Sequence, residues 1–146
     1  MSAHDRPILE LRPDHWQSMR LHILRHLPEE ACGFVAGTPL QDRPGWTSQA
    51  VLPVTNMLHS PVRFQFEPHE HLAAFEQIDR QGWELAAIFH SHPGGPNHPS
   101  ATDIAESHYP ETIYLIWSAR QGSWDCKAFL IQDLVYQEVK IIMSES

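Results

Sequence analysis

The apolar segment Trp83–Ser91 runs into His90-Ser91-His92-Pro93, and this stretch constrains the chain more than any other. Bounded by Gly82 and Pro93, it reads as a hydrophobic strand. Alternate side chains of a strand project from one face, so His90 and His92 can converge on a single ion. Pro93 lacks the N–H that a ladder needs and ends the pairing. Gly94 and Gly95 then give the following loop freedom to fold back.

The remaining elements follow from periodicity and punctuation. Ile8–Leu11 is expected as a short first strand. Pro13–Arg25 is expected as a helix, with Pro13 in its first turn and Trp16, Met19, Ile23 and Leu27 at helical spacing. Ala31–Gly37, Trp46–Val54 and the alternating Arg63–Phe66 read as strands. Pro68–Gln81 reads as a second helix stopped by Gly82, with Leu72, Ala74, Phe75 and Ile78 as its buried stripe. Ser100–His108 is expected as a short helix, and Thr112–Trp117, Trp124–Ile131 and Val135–Ile142 as closing strands. Strands and helices are interspersed, which predicts a mixed β-sheet flanked by helices, an α/β or α+β sandwich.

Length and charge narrow the class. A chain of 146 residues suits one domain, 1–146, with a genuine core. No apolar run is long enough to span a bilayer. The N-terminus, Met1–Arg6, lacks the blocks of a secretory signal, so a cytoplasmic location is expected. Net charge is −8, with no block of Lys and Arg to neutralise phosphates, so nucleic acid is not an expected partner. Cys32 and Cys126 are too few for a disulfide framework, and both read as small buried hydrophobes.

Histidine spacing needs care, because 11 histidines yield about one H-x-H pair by chance. His69-Glu70-His71 opens a helix, where positions i and i+2 do not face each other, and reads as solvated surface. His22 and His26 stand one helical turn apart, but Ile23 occupies the place where a zinc protease needs Glu. His98 is expected to be solvent-exposed. Ser100 and Asp103 have the spacing of a helix N-terminus with Ser100 as N-cap. That role is compatible with a second one, since one turn would hold the Asp103 carboxylate and the Ser100 hydroxyl near a metal. A hydrolase also needs a base, and Glu29 and Glu30 both precede the strand at Ala31; spacing does not choose between them.

His90-Ser91-His92-Pro93 with Ser100 and Asp103 resembles the H-S/T-H-P-x(6)-S-x-x-D motif of the JAMM (MPN+) zinc metallopeptidases. Glu30-Ala31-Cys32-Gly33 is similar to the E-x-C-G segment of that family, which favours Glu30 over Glu29. The resemblance covers roughly Leu9 to Val139. It implies a β-sheet sandwiched by helices, similar to the cytidine deaminase fold. It also implies that His90, His92 and Asp103 bind Zn2+ with water in the fourth position. Glu30 would be the base and Ser100 an oxyanion donor, while the spare nitrogens of His90 and His92 would meet acceptors. The compact chain looks like the small stand-alone prokaryotic members. That implies cleavage of a peptide or isopeptide bond after the C-terminal Gly-Gly of a ubiquitin-like or sulfur-carrier protein. Arg63–Phe66, or the segment after His92, would offer an edge for the tail. A homodimer is among the open oligomeric states. Two alternatives stand beside this reading: a non-catalytic scaffold of the same fold, and a RadC-like protein of DNA repair. A nucleoside deaminase is excluded, because its P-C-x-x-C ligand pair is missing.

Overall fold

The computed structural model describes residues 5–145. The run Met1–His4, read above for a secretory signal, lies outside them. Among the described residues, eight strands and three helices follow one another in this order: β1 (Ile8–Leu11), α1 (Pro13–His26), β2 (Cys32–Pro39), β3 (Gly45–Val54), α2 (Pro68–Gln81), β4 (Glu84–His92), α3 (Ala101–Ala105), β5 (Ile113–Arg120), β6 (Ser123–Gln132), β7 (Val135–Val139) and β8 (Ile141–Met143). The strands form one sheet in the order β7-β6-β5-β4-β2-β3-β1-β8. It is mixed: β4–β5, β1–β3 and β1–β8 pair parallel, and the other neighbours antiparallel.

Strand β4 lies at the centre and buries both faces. Ala87 and Phe89 join the core beneath α1, with Met19, Ile23, Val35 and Leu115. Ile88 faces the opposite side, with Phe34, Ala74 of α2 and Tyr114. Gly33, opposite Phe89, has no alternative: a Cβ there would come within 2.5 Å of the Phe89 ring. The expected layering, helices on both faces of a mixed sheet, is therefore the one found.

Three expectations change. Val135–Ile142 is not one strand of one edge. Residues up to Val139 pair with β6, and from Ile141 the chain pairs with β1 at the opposite end of the sheet. The sheet must curl for neighbouring residues to serve both its outer strands, and the break falls at Lys140. Arg63–Phe66 is not a strand either; it contributes only an isolated bridge between Asn56 and Phe66. Its backbone is held instead by the buried Asn56 side chain, which donates to the carbonyl of Arg63 at 3.0 Å and accepts from the N–H of Gln65 at 3.1 Å. The third helix ends at Ala105, short of His108.

The helical stripes hold in part. Met19 and Ile23 are buried, and Trp16 packs against them, but Leu27 lies beyond the end of α1 and is exposed. On α2 the inward row is His71, Ala74, Phe75 and Ile78, with Ala74 and Ile78 buried, His71 and Phe75 half-buried and Leu72 60% exposed. Those positions follow the i, i+3, i+4, i+7 spacing of one helix face, and Leu72 falls off it. His71 is thus not solvated surface: its ring lies 4.6 to 5.2 Å from those of Phe34, Phe66 and Phe75. His69, by contrast, points into solvent.

Candidate metal centre

The centre lies where β4 runs out. His90 and His92 project from the face that carries Ile88, and Ser91 projects from the other. Ser91 locks this end of the sheet: its Oγ accepts from the N–H of Ala31 at 2.8 Å, and its own N–H donates to the Ala31 carbonyl at 3.0 Å. With Cys32 in register with His90, this double contact carries the preceding residue, Glu30, to the same end. Glu30 is fixed further by its backbone. Its N–H donates to the carbonyl of Ser60 at 2.8 Å, and its carbonyl accepts from Asn56 Nδ2 at 2.9 Å.

Asp103 arrives on α3. Ser100 is the N-cap: its Oγ accepts from the Asp103 N–H at 3.0 Å, and its own N–H donates to Asp103 Oδ2 at 2.8 Å. This reciprocal pair fixes the carboxylate's rotamer. The expected cap and the expected ligand position are one arrangement.

The three side chains meet closely. His90 Nε2 and His92 Nε2 lie 3.0 Å apart. Asp103 Oδ2 is 3.0 Å from His92 Nε2, and Oδ1 is 3.2 Å from His90 Nε2. His92 Nδ1 donates to the Pro96 carbonyl at 2.7 Å, which places its proton on Nδ1 and turns the Nε2 lone pair toward His90 and Asp103. Two buried imidazole nitrogens and a carboxylate at such distances need a positive charge among them. A metal ion meets that need: tetrahedral ligand bonds of about 2.0–2.1 Å separate donor atoms by about 3.3 Å. Two imidazoles and one carboxylate are also a donor set that zinc accepts. His90 Nδ1, however, is buried with no hydrogen-bond partner among the described residues. Its ring is held instead by Phe64, stacked at 4.5 Å. The acceptor expected for both spare nitrogens exists for His92 alone.

Electrostatics follow from burial and proximity. Burial holds His90 below the usual imidazole range, although Asp103 partly offsets it. Burial also opposes charge on His92, but the Asp103 hydrogen bond and the Pro96 carbonyl outweigh it, so its pKa is raised. Burial works against ionisation of Asp103 too, yet the two imidazoles hold its carboxyl well below the usual range. Glu30, 5% exposed, is pushed up to about 8, chiefly by burial, with His92 opposing and Asp103 reinforcing.

Two clefts flank the centre. One, of about 310 Å³, is lined by Glu30, Ser100, His92 and Val62. The other, of about 230 Å³, is lined by His90, Asp103 and the rings of Phe64, Phe66, Tyr109 and Tyr114. Glu29 stands apart, bonded to His59 at 3.0 Å. His22 and His26 contact backbone carbonyls and each other, away from the centre. His98 is exposed, as expected, with its ring stacked on Tyr136 of β7 at 5.9 Å. Burial pushes the Cys32 thiol up to about 12, an unreactive state. Asn56, Phe64 and the Pro96 carbonyl escaped the sequence reading. Nothing in their spacing marks them, because each acts through tertiary contact.

Fold and centre together define a curled mixed-sheet domain with two histidines and an aspartate gathered at the end of its central strand. Residues 12–129 match the family described as prokaryotic homologs of the JAB domain, and the chain belongs to that family. It is 34% identical over 128 residues to a Thermus thermophilus protein named probable TtuB-protein conjugate cleaving protease, covering 87% of this chain and 77% of that one. A Mycobacterium tuberculosis protein named CysO-cysteine peptidase is 31% identical over 113 residues, covering 77% of this chain and 75% of its own length. The solution structure of a Desulfitobacterium hafniense protein superposes with a TM-score of 0.83 at 34% identity, covering 94% of both chains. Among the described residues no helix is long and apolar enough to cross a membrane.

Proposed function

We propose that this protein is a zinc-dependent peptidase of the JAMM type. It hydrolyses the peptide or isopeptide bond after the C-terminal Gly-Gly of a ubiquitin-like or sulfur-carrier protein. The observation that carries the reading is the convergence of His90, His92 and Asp103, whose ligand atoms lie within 4.8 Å of one another, beside a cleft lined by Glu30. The substrate class is supported by the relatives, one named for cleaving TtuB-protein conjugates and the other as a CysO-cysteine peptidase.

His90, His92 and Asp103 would hold the zinc ion, which when bound lowers the pKa of attacking water and polarises the scissile carbonyl. Glu30 takes a proton from that water and delivers it to the departing nitrogen. Without a cation its carboxyl is held protonated by burial; a divalent charge alongside favours the ionised form a base needs. Ser100 Oγ already accepts from the Asp103 N–H, so its own O–H remains to donate to the oxyanion. The Pro96 carbonyl keeps the His92 Nε2 lone pair available. A Gly-Gly tail has no side chains, so it can lie close against the centre.

The test is incubation with Gly-Gly-tailed carrier proteins extended by further residues, read by mass spectrometry with and without chelator. Release of the extension, abolished by chelator and restored by zinc, is expected. Intact tails across several carriers in the presence of zinc would instead favour a non-catalytic member of the fold.

A further inference from the structure

Glu30 lies on one side of the His90–His92–Asp103 cluster, in the cleft with Ser100 and Val62, and the aromatic cleft lies on the other. A base that hands its proton to the departing nitrogen must stand beside that nitrogen. On the peptidase reading above, on which this inference rests, the leaving segment therefore occupies the Glu30 side.

That cleft does not end at the centre. Gly95 borders it and also borders a depression of about 510 Å³, whose walls include Asn97, Ser118, Arg120, Asp125 and Lys127. Gly94 and Gly95 carry no side chains, and a Cβ on Gly94 would meet nothing within 4 Å. The depression lies on the sheet face that carries the cluster. Across the strands, His90 aligns with Ile116 and then Lys127, and His92 with Ser118 and then Asp125. Arg120 follows Ser118 by two residues on β5 and shares its face.

Charge gives this surface its meaning. The chain carries only 10 Lys and Arg against 18 Asp and Glu. Two of those cations, Arg120 and Lys127, line the depression with one carboxylate, Asp125. The ion pairs of the described residues involve Arg12, Arg63 and four histidines, so Arg120 and Lys127 are outside them. We propose that Arg120 and Lys127 recognise acidic side chains of the leaving segment a few residues beyond the cleaved bond. The favoured substrate is thus a Gly-Gly tail joined to an acidic polypeptide.

The experiment compares three substrates built on one carrier protein, extended past Gly-Gly by Ala-Ala-Asp-Asp, Ala-Ala-Asn-Asn or Ala-Ala-Lys-Lys. The zinc-loaded protein should cleave the Asp-Asp form about tenfold faster than the Lys-Lys form in kcat/KM, mainly through KM, as two exposed charge contacts allow. The ratio should shrink as salt is raised, since the contacts are solvent-screened. It should fall to about one in the Arg120→Gln/Lys127→Gln double variant, and Arg120→Glu should turn it toward the Lys-Lys form. Cleavage of all three at equal rates by the parent would overturn this inference and leave the peptidase reading intact. No cleavage of any of them would overturn both.

Discussion

Glu30 is the residue whose environment makes the sharpest demand. Its carboxyl is buried beside Asp103 and in the metal-free protein loses its proton only near pH 8. The unfolded chain loses it near 4.5. Below that value both states are neutral and Glu30 costs nothing. As pH rises the unfolded state ionises first, so the cost grows and is complete above about 8. In chelated protein Glu30→Gln should therefore raise Tm by about 5–10 °C at pH 8.5, and the gain should shrink toward pH 4.5. Thermal scans at several pH values read this directly. With zinc present, Glu30→Gln should still bind metal and lose turnover, since only the proton carrier is removed. Ser100→Ala should lower kcat by about 10²–10³-fold as an oxyanion donor is lost. Its cost to stability, that of an N-cap, should be only about 1 kcal/mol. A kcat loss no larger than the stability change explains would remove Ser100 from the chemistry.

At the scale of elements, the loop between β3 and α2 holds the site together without contributing a ligand. Asn56, 4% exposed, ties the carbonyls of Glu30 and Arg63 to the N–H groups of Leu58 and Gln65. Asn56→Ala leaves the buried Glu30 carbonyl and three part-buried backbone groups without this partner, a buried one being worth about 1–3 kcal/mol. It should destabilise by about 3 kcal/mol in urea titration and reduce turnover by releasing Glu30. On α2, Leu72→Gln should change stability by less than about 0.5 kcal/mol, because Leu72 stands outside the buried row. These two substitutions mark the line between what was legible in the sequence and what was not. The His90-Ser91-His92-Pro93 strand end, the cap at Ser100 and the α1 stripe are local patterns, and each is where spacing puts it. Arg63–Phe66 alternates like a strand, yet it makes only an isolated bridge, and an asparagine side chain holds its backbone in place of a ladder. His71 is polar by composition but sits on the apolar row, where Phe34, Phe66 and Phe75 accept it as one more ring. Spacing shows periodicity; it does not show which partner a tertiary contact supplies.

At the scale of the whole molecule, curling lets one segment, Val135–Met143, supply both outermost strands of the sheet, and both are short, as edge strands tend to be. Strand β4 is thereby buried at the centre, and its end becomes the rigid floor on which β2, α3 and the Pro93–Pro99 loop deliver Glu30, Asp103 and the Pro96 carbonyl. Two clefts open beside the cluster, an aromatic one lined by His90 and Asp103 and one lined by His92, Glu30 and the glycines of the loop. Everything proposed for substrate, base and leaving segment follows from a divalent cation at that cluster. The most direct measurement is therefore zinc per chain by elemental analysis after loading and dialysis, for the parent, Glu30→Gln and Asp103→Ala. One zinc per chain in the first two, with little or none in the third, is the predicted result. A parent that retains no metal, or an Asp103→Ala protein that retains as much as the parent, would contradict the account.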